Sequence, residues 1–321
     1  QPQRRNAMKA SILICLAVLG TVLALPSLSY AQDEAGAEPE YSRDGADTCL
    51  RCHRDQVTLG VFRTPHGVPT DERSPFGHDQ LQCEACHGPG GEHTGRVRRG
   101  DPRPPVVYFG SDEDAAPVET QNAMCLSCHE STVPVTWHGT PHDANEVACA
   151  DCHSSHKPND PVLTTSSQAQ VCYDCHRTQE IAAAKPYAHP VNQGKMDCSS
   201  CHNPHGTTAE LQMARQTVND TCWQCHAETR GPFIWEHAPV SEDCTACHEP
   251  HGSSHPGMLS LRGPMLCQSC HSQAGHPSVA STPDGLPGGG TASQLLLGQN
   301  CLNCHTQVHG SNHPSGSKLM R

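Results

Sequence analysis

Hydrophobic residues are concentrated in one run near the amino terminus of this chain. The run extends from about Ile12 to Leu25 and follows Lys9, and Ser29-Tyr30-Ala31 then places small residues just before a cut at Gln32. This pattern predicts a signal peptide over residues 1–31, cleaved on export, and a periplasmic mature protein. An uncleaved membrane anchor is the alternative, but the run is shorter than the ~20 residues that a span requires.

Beyond this run, the chain is polar and shows no long hydrophobic periodicity. Residues 32–48 are acidic, which predicts a disordered leader. Proline and glycine cluster in 88–92, 101–106 and 281–290, which predicts loops, and helical pieces are expected around a repeated cysteine motif, as in Val171–Lys185. No stretch shows the ~10-residue alternation of a membrane barrel strand. The pattern predicts short helices and loops with little sheet.

The repeated motif is Cys-x-x-Cys-His, and it occurs ten times. In this signature two thiols form thioethers to a haem and the histidine binds its iron. The pairs of cysteines are Cys49/Cys52, Cys83/Cys86, Cys125/Cys128, Cys149/Cys152, Cys172/Cys175, Cys198/Cys201, Cys222/Cys225, Cys244/Cys247, Cys267/Cys270 and Cys301/Cys304. The motif histidines are His53, His87, His129, His153, His176, His202, His226, His248, His271 and His305.

Haem attachment explains this motif better than the two alternatives. On one helical turn, positions i, i+3 and i+4 share a face, so Cys244, Cys247 and His248 can address one macrocycle. Zinc knuckles and disulfide frameworks also use Cys-x-x-Cys, but neither requires a histidine after every second cysteine. The motifs use 20 of the 21 cysteines, and the remaining one, Cys15, lies in the predicted signal peptide.

Composition agrees with a core made largely of cofactor. Aromatic residues make up 4% of the 321 residues and the mean hydropathy is −0.56, which is too polar for an ordinary interior at this length. Ten covalently attached porphyrins would supply the missing apolar volume. The predicted fold class is a multihaem cytochrome c, with short helices and loops wrapped around ten haems.

The other histidines are numerous enough to give each iron a second ligand, and they recur in a regular order. The chain reads as five units of two motifs, each with one histidine between the motifs and one shortly after the second. The intervening histidines are His66, His142, His189, His237 and His276, and the trailing ones are His93, His156, His205, His251 and His309. A trailing histidine cannot reach the far side of its own haem, so it must bind a neighbouring one.

Four histidines remain as competitors for these positions. His78 competes with His66 and His138 with His142, while His255 and His313 compete with the trailing histidines before them. For each chosen histidine, the alternative is a place on the surface or a hydrogen bond to a haem propionate. Methionines near motifs could also be axial ligands, but the histidines suffice.

Bis-histidine ligation indicates electron transfer. An iron with both axial positions filled by protein has no place for a substrate, and histidine instead of methionine lowers its potential. No Cys-x-x-Cys-Lys variant is present. The chain is therefore interpreted as a wire or store of electrons.

The charge of the chain is acidic with one local exception. The formal charge of −12 becomes −15 without residues 1–31, and haem propionates add to it, which argues against nucleic acid as a partner. The exception is the basic segment Gly95–Arg103, with Arg96, Arg98 and Arg99. Its arginines either pair with propionates or face solvent, or they form a docking patch for an acidic partner.

Three segments carry a resemblance to a known family. They are Leu81-Gln-Cys-Glu-Ala-Cys-His-Gly-Pro-Gly-Gly-Glu-His93, Cys247-His-Glu-Pro-His-Gly-Ser-Ser-His255 and Asn300-Cys-Leu-Asn-Cys-His-Thr-Gln-Val-His-Gly-Ser-Asn-His-Pro314. With ten motifs and a signal peptide, the chain resembles the MtrA/DmsE/PioA family of decahaem cytochromes from about Thr48 to Pro314. It lacks the long amino-terminal extension of the phototrophic iron-oxidising branch.

The resemblance implies an architecture and a place in the cell. It implies an elongated protein of two pentahaem halves, 49–190 and 191–321, threaded into an outer-membrane β-barrel porin of the MtrB type. Its other partners would be an extracellular cytochrome or reductase and a periplasmic or inner-membrane electron donor. The function implied is electron transfer across the outer membrane in metal or dimethyl sulfoxide reduction, or in iron oxidation.

Two other functions stay open at this point. One is a soluble periplasmic shuttle or capacitor that feeds a reductase, resembling a doubled pentahaem donor. The other is an enzyme with one open haem, which would be marked by high-spin iron in the resting protein.

Overall fold

The structure, a computed structural model, describes residues 40–131, 133, 135–271, 301–314 and 316–320. The predicted signal peptide and Cys15 lie outside these residues, as do His276 and the loop at 281–290. In the described part, β-structure is limited to isolated antiparallel bridges, and regular structure consists of short helices. The predicted fold class is confirmed in this respect.

The helices fall into two kinds. The α-helices among the described residues are α1 Ala46–Cys49, α2 Gln56–Gly60, α3 Glu84–His87, α4 Gly91–Thr94, α5 Val118–His129, α6 Pro141–Ala144, α7 Cys149–Cys152, α8 Thr165–Tyr173, α9 Arg177–Ala183, α10 Val218–Cys222, α11 Ala238–Glu242 and α12 Gly263–Gln268. The 3-10 helices there are Val61–Arg63, Pro65–Gly67, Val135–Trp137, Pro161–Leu163, Cys198–Ser200, Glu210–Gln212, Ala227–Thr229, Cys244–Ala246, Pro256–Met258 and Cys301–Asn303.

Most of these helices begin or end at a cysteine motif. In nine motifs of the described chain, the histidine N–H donates to the carbonyl of the first cysteine at 2.9–3.0 Å, and the motif of Cys125 lies inside α5. Each motif therefore forms one helical turn, which places its cysteines and histidine on one face.

The helical pieces predicted in Val171–Lys185 are two helices with a break between them. Helix α8 ends at Tyr173 and α9 begins at Arg177, because His176 leaves helical geometry at φ −89° and ψ 58°. The N–H of Arg177 bonds to the carbonyl of Cys175, so the regular ladder stops at the motif. The predicted loop at 88–92 likewise contains the start of helix α4.

Side-chain amides join the two motifs of a unit, a feature that sequence reasoning missed. Asn122 accepts a hydrogen bond from the N–H of Cys149 at 2.8 Å, and Asn219 accepts one from the N–H of Cys244 at 2.8 Å. Both asparagines are buried and stand three residues before a motif. Gln168 makes an equivalent link between the fifth and sixth motifs. The recurrent asparagine spacing is the sequence signal that could have found them.

The segment just before the first motif is held against the second motif. Ser42 donates through its N–H and its Oγ to the carboxylate of Glu84, at 2.9 and 2.7 Å. The N–H of Ala46 donates to Oε1 of Gln82 at 2.6 Å. These contacts lie in the part of the predicted leader that the structure describes.

Contacts also cross the position of the predicted division after residue 190. Tyr187 and Ser253 exchange backbone hydrogen bonds of 3.1 and 2.7 Å, and Thr165 donates to Asp197 at 2.9 Å. By its contacts, Glu40–Arg321 forms one unit. The two pentahaem halves stay a prediction.

Three of the trailing histidines are each followed by a glycine, and the backbone conformation at these positions favours glycine over other residues. These residues are Gly206, Gly252 and Gly310, with φ of 101°, 138° and 133°. A Cβ on Gly252 would overlap the carbonyl oxygen of Ala182, so the close approach of the two segments requires glycine. The approach sets the position of His251.

Replacing Gly252 by alanine is expected to destabilise the protein by more than ~2 kcal/mol, because clash is added to left-handed strain. Gly257→Ala is the matched control, since Gly257 also has a positive φ of 69° but open space where its Cβ would be. It should cost only about 1 kcal/mol. Thermal unfolding followed by haem absorbance measures both, and equal losses would contradict the role of the close approach.

Candidate haem sites

The structure brings motif histidines and predicted distal histidines together in pairs. In nine pairs of the described chain, the ring centroids lie 5.9–6.3 Å apart. The pairs, with the motif histidine first, are His53/His93, His87/His156, His129/His66, His153/His205, His176/His142, His202/His251, His226/His189, His248/His309 and His271/His237. For the tenth motif histidine, His305, the predicted partner His276 lies outside the described residues.

The spacing within each pair fits an iron between two imidazoles. Two bonds of ~2 Å from a transition metal to imidazole nitrogens, together with the distances from nitrogen to ring centre, fill the separation. The donor set therefore fits a six-coordinate haem iron.

Hydrogen bonds at Nδ1 leave the other nitrogen of many of these rings for a metal. Each Nδ1 in this group lies 2.6–3.3 Å from a backbone carbonyl oxygen, which fixes the tautomer and directs Nε2 elsewhere. The contacts are His87 to Val107, His93 to Pro104, His142 to Pro204, His156 to Val57, His189 to Pro250, His202 to Leu211, His248 to Gly257 and His305 to Lys318. His153 instead contacts the carboxylate of Asp160 at 2.8 Å.

Burial favours the neutral form of several of these rings. It lowers the pKa of five histidines below the usual value, and the facing histidine of each pair lowers the pKa further. They are His66, His87, His205, His251 and His309. A neutral imidazole is the form that binds a metal.

Two of the competing histidines lie at the surface beside carboxylates. His78 contacts Asp79 at 2.7 Å with 87% of its side chain exposed, and His138 lies 3.9 Å from Asp143 with 74% exposed. His255 donates its backbone N–H to Oγ of Ser253, and His313 makes the same contact with Ser311. In the described chain, nine of the ten chosen histidines lie opposite motif histidines.

Distal histidines reach across from one unit to the next. His142, in the second unit, faces the first motif histidine of the third unit, and His189 repeats this one unit later. In the reverse direction, the trailing His205 faces His153 and the trailing His251 faces His202. Successive units are therefore interlocked by their ligand pairs.

Cysteines of neighbouring motifs lie close together in space, and the motifs follow one another there in the order of the sequence. Within each unit the side chains of the first cysteines of its two motifs lie close to each other, in the pairs Cys49/Cys83, Cys125/Cys149, Cys172/Cys198, Cys222/Cys244 and Cys267/Cys301. Between units the second cysteines lie close enough to interact electrostatically, in the pairs Cys86/Cys128, Cys152/Cys175, Cys201/Cys225 and Cys247/Cys270. Neighbouring attachment sites thus form an unbroken series.

Seven of the predicted haem-attachment cysteines lie at the surface of the polypeptide. All seven are the second cysteine of a motif: Cys52, Cys128, Cys152, Cys175, Cys225, Cys270 and Cys304. The first cysteine of every motif is instead half-buried, because it lies against the first cysteine of the other motif in its unit. Haem attachment at each of these seven residues stays a prediction.

The basic segment forms a loop closed at both ends on a predicted haem ligand. Nδ1 of His93 lies 2.8 Å from the carbonyl of Pro104, and Arg103 donates to the carbonyl of His93 at 2.5 Å. Arg96, Arg98 and Arg99 are exposed, and no carboxylate of the described chain lies within ion-pair distance of them. Their side chains are available both to haem propionates and to an acidic partner.

Comparison with known proteins identifies the family. Over 291 residues the chain is 45% identical to the multihaem cytochrome MtrA of Shewanella baltica, covering 90% of this chain and 85% of that protein. The chain belongs to the MtrA family of multihaem c-type cytochromes. The resemblance stated from the sequence is confirmed.

Other similarities of this MtrA-family chain are partial. The families described as doubled CXXCH motif and cytochrome c-type protein NrfB-like match residues 189–231 with 237–276, and 83–171. The chain is 31% identical to NrfB of Escherichia coli over 54% of its length and 88% of that protein. It is 24% identical to the polyhaem cytochrome OmcC of Geobacter sulfurreducens, over 69% of this chain and 31% of that protein.

Family membership establishes the cofactor and the general activity. The chain carries covalently attached haem c at Cys-x-x-Cys-His motifs, and it is an electron-transfer protein, not an enzyme. In the described part of this family member, no helix has the length and hydropathy to cross a membrane.

Proposed function

We propose that this MtrA-family cytochrome conducts electrons across the outer membrane, held within a β-barrel porin of the MtrB type. The observation that carries the proposal is the unbroken series of attachment sites in motif order, together with 45% identity to MtrA over 90% of the chain. A conduit needs neighbouring redox centres along its whole length, and this series supports that requirement.

We also propose that ten haems are attached and that each iron has two histidine ligands. Haem iron, when bound, alternates between ferric and ferrous states and so accepts and passes single electrons. The ligands would be the nine facing pairs and His305 with His276. Two imidazoles on one iron exclude a substrate from it, which favours conduction over catalysis.

The remaining parts of the proposal concern location and organisation. Residues 1–31 would be removed on export, and the mature protein would act from the periplasm in contact with the outer membrane. An inner-membrane or periplasmic cytochrome would exchange electrons at one end, and an extracellular cytochrome or reductase at the other. The two predicted halves, 49–190 and 191–321, would follow one another along the barrel.

The proposal is tested by purification from the native host with a carboxyl-terminal tag. Extraction of the envelope in mild detergent is expected to retain a large β-barrel protein with the cytochrome in stoichiometric amount, in the outer-membrane fraction. A matched preparation made with a strong denaturing detergent is the control for non-specific association. Recovery only from the soluble periplasm, while the respiratory pathway is active, would rule out the conduit.

Solution scattering on the purified cytochrome supplies a second test. A compact globule of the 290 mature residues has a radius of gyration of roughly 19 Å, whereas a membrane with its headgroups is ~40–45 Å thick. A single row of haems that spans this distance requires a clearly larger value. A compact value would contradict the proposal.

A soluble electron shuttle is the second candidate. The observation that favours it is the 31% identity to NrfB over 88% of that protein. It predicts full electron-transfer activity without a membrane partner. The fractionation experiment separates the two functions, because only the conduit remains with the outer membrane.

A further inference from the structure

The fourth motif differs from related motifs in what its histidine contacts. Nδ1 of His153 lies 2.8 Å from Oδ2 of Asp160, whose side chain is only 14% exposed. In the sixth and eighth motifs, His202 and His248 contact the backbone carbonyls of Leu211 and Gly257. A half-buried charged acceptor therefore replaces a neutral one at the fourth motif.

Loop length explains this replacement. All three motifs continue as His-x-x-His, and in the sixth and eighth the loop returns so that a carbonyl nine residues later meets the ring. After His153 the loop is shorter, and the residue that meets the ring, Asp160, is seven residues later. The shorter loop does not bring a backbone carbonyl to the ring of His153, but the side chain of Asp160 reaches it.

Backbone groups fix the carboxylate in this position. Oδ1 of Asp160 accepts hydrogen bonds from the N–H groups of Ser154 and Val162, at 3.3 and 3.4 Å, and the residue caps the 3-10 helix Pro161–Leu163. Its other oxygen, Oδ2, is thereby directed at His153. These backbone contacts hold the carboxylate independently of its contact with His153.

Another motif histidine of the described chain also contacts a carboxylate, but that contact is much weaker. Glu228 lies 3.4 Å from Nδ1 of His226, but 70% of its side chain is exposed. Water competes for such a carboxylate and screens its charge. Of the two carboxylates, Asp160 therefore has the stronger effect on its histidine.

We propose that Asp160 lowers the reduction potential of the haem attached at Cys149 and Cys152, below that of haems whose motif histidine contacts a carbonyl. The carboxylate draws the Nδ1 proton toward itself, which raises the electron density that His153 offers the iron and stabilises the ferric state. Asp160 is a positioning residue, since it acts through His153. The inference rests on the proposed ligation by His153.

The consequence for conduction is uneven occupancy along the series. As the protein is reduced, the fourth site fills with an electron later than sites whose motif histidine contacts a carbonyl, such as the second and the sixth. An electron at the fourth site, between the third and the fifth, then has a higher energy than one at those sites. A single side chain, that of Asp160, would create this difference in potential along the series.

The test is an EPR-monitored redox titration of the holoprotein and of neutral variants at residue 160. Asp160→Asn and Asp160→Ser both keep a residue that caps helices well, so the helix Pro161–Leu163 is preserved. The expected result is an upward shift of one component, with the amplitude of a single haem, from the low-potential end of the titration. Asp160→Glu, which retains a carboxylate, should keep that component low.

Asp151→Asn is the matched control for loss of charge. Asp151 lies within the same motif and is exposed, and its carboxylate accepts a hydrogen bond from the N–H of Ala148 at 2.8 Å without contacting His153. In Asp151→Asn, the titration component of the fourth haem should move much less than in Asp160→Asn, because Asp151 acts on the cysteines of the motif and does not contact His153. The proposal would be overturned by an equal shift in Asp151→Asn and Asp160→Asn, or by no shift in the neutral variants at residue 160.

Spectra distinguish failure of this inference from failure of the proposed function. If His153 remains a ligand, all variants stay low-spin, and retention of the porin is unchanged. A high-spin resting haem in Asp160→Asn would mean that Asp160 only holds the ring in place, and it would overturn the inference while leaving the conduit intact. Loss of holoprotein in both neutral variants, with Asp151→Asn intact, would overturn it in the same way.

Discussion

The chain produced without haem attachment will not fold. Few hydrophobic side chains of the described residues are buried: Ala46, Val61, Trp137, Ala148, Ala169, Tyr173 and Met213. Seven such side chains cannot offset the ordering of the backbone, which costs roughly 1–2 kcal/mol for each residue. The apolar faces of the haems must supply the difference.

Production in the cytoplasm, without residues 1–31, makes this chain in a compartment where c-type haem is not attached. Far-ultraviolet circular dichroism and amide hydrogen exchange are expected to report an unfolded chain. The mature holoprotein of identical sequence is the control, and its helices should be protected. Protected helices in the haem-free chain would contradict the prediction.

The interlocking of units makes the effect cooperative. The facing pairs His153/His205 and His202/His251 each join residues from different units, so removing one haem releases contacts on both sides. Loss of the fourth attachment site, in Cys149→Ser with Cys152→Ser, should therefore loosen the second and third units together. Hydrogen exchange would locate the loss.

Replacing His251 by alanine will turn one low-spin haem into a high-spin one. The His251 ring faces His202 at 6.1 Å, so its loss leaves the iron at Cys198 and Cys201 with one protein ligand. The expected readouts are a ferric high-spin EPR signal with the intensity of a single haem and carbon monoxide binding after reduction. The potential of that haem should rise.

His255→Ala is the matched control, because it removes the same side chain four residues later in the same loop. His255 bonds to Ser253 through its backbone N–H, a contact that alanine retains. The variant should stay wholly low-spin and bind no carbon monoxide. A high-spin haem in His255→Ala, with His251→Ala unchanged, would reverse the ligand assignment.

The two substitutions also address function. A conduit in which every iron is filled has no reactive site, whereas His251→Ala opens one in the interior of the series. If the wild-type protein already contained a high-spin haem, the variant would add a second signal to the first. That result would contradict the proposal that every haem iron has two histidine ligands.

Local sequence was enough to find the attachment sites and to indicate haem. The cysteines and histidine of a motif are spaced i, i+3 and i+4, and one helical turn brings them together whatever the rest of the chain does, as at Cys244, Cys247 and His248. The order of the other histidines also followed from spacing. His142 was preferred to His138, and the structure places it opposite His176.

Only the tertiary structure decided which distal histidine faces which motif. His66 meets His129 and His87 meets His156, across segments whose paths are set by many contacts far apart in sequence. Spacing fixes neighbours along a helix, but it carries no information on how loops return. The same limit hid the contact of Asp160 with His153, because only the folded loop determines whether a backbone carbonyl or a carboxylate arrives at the ring.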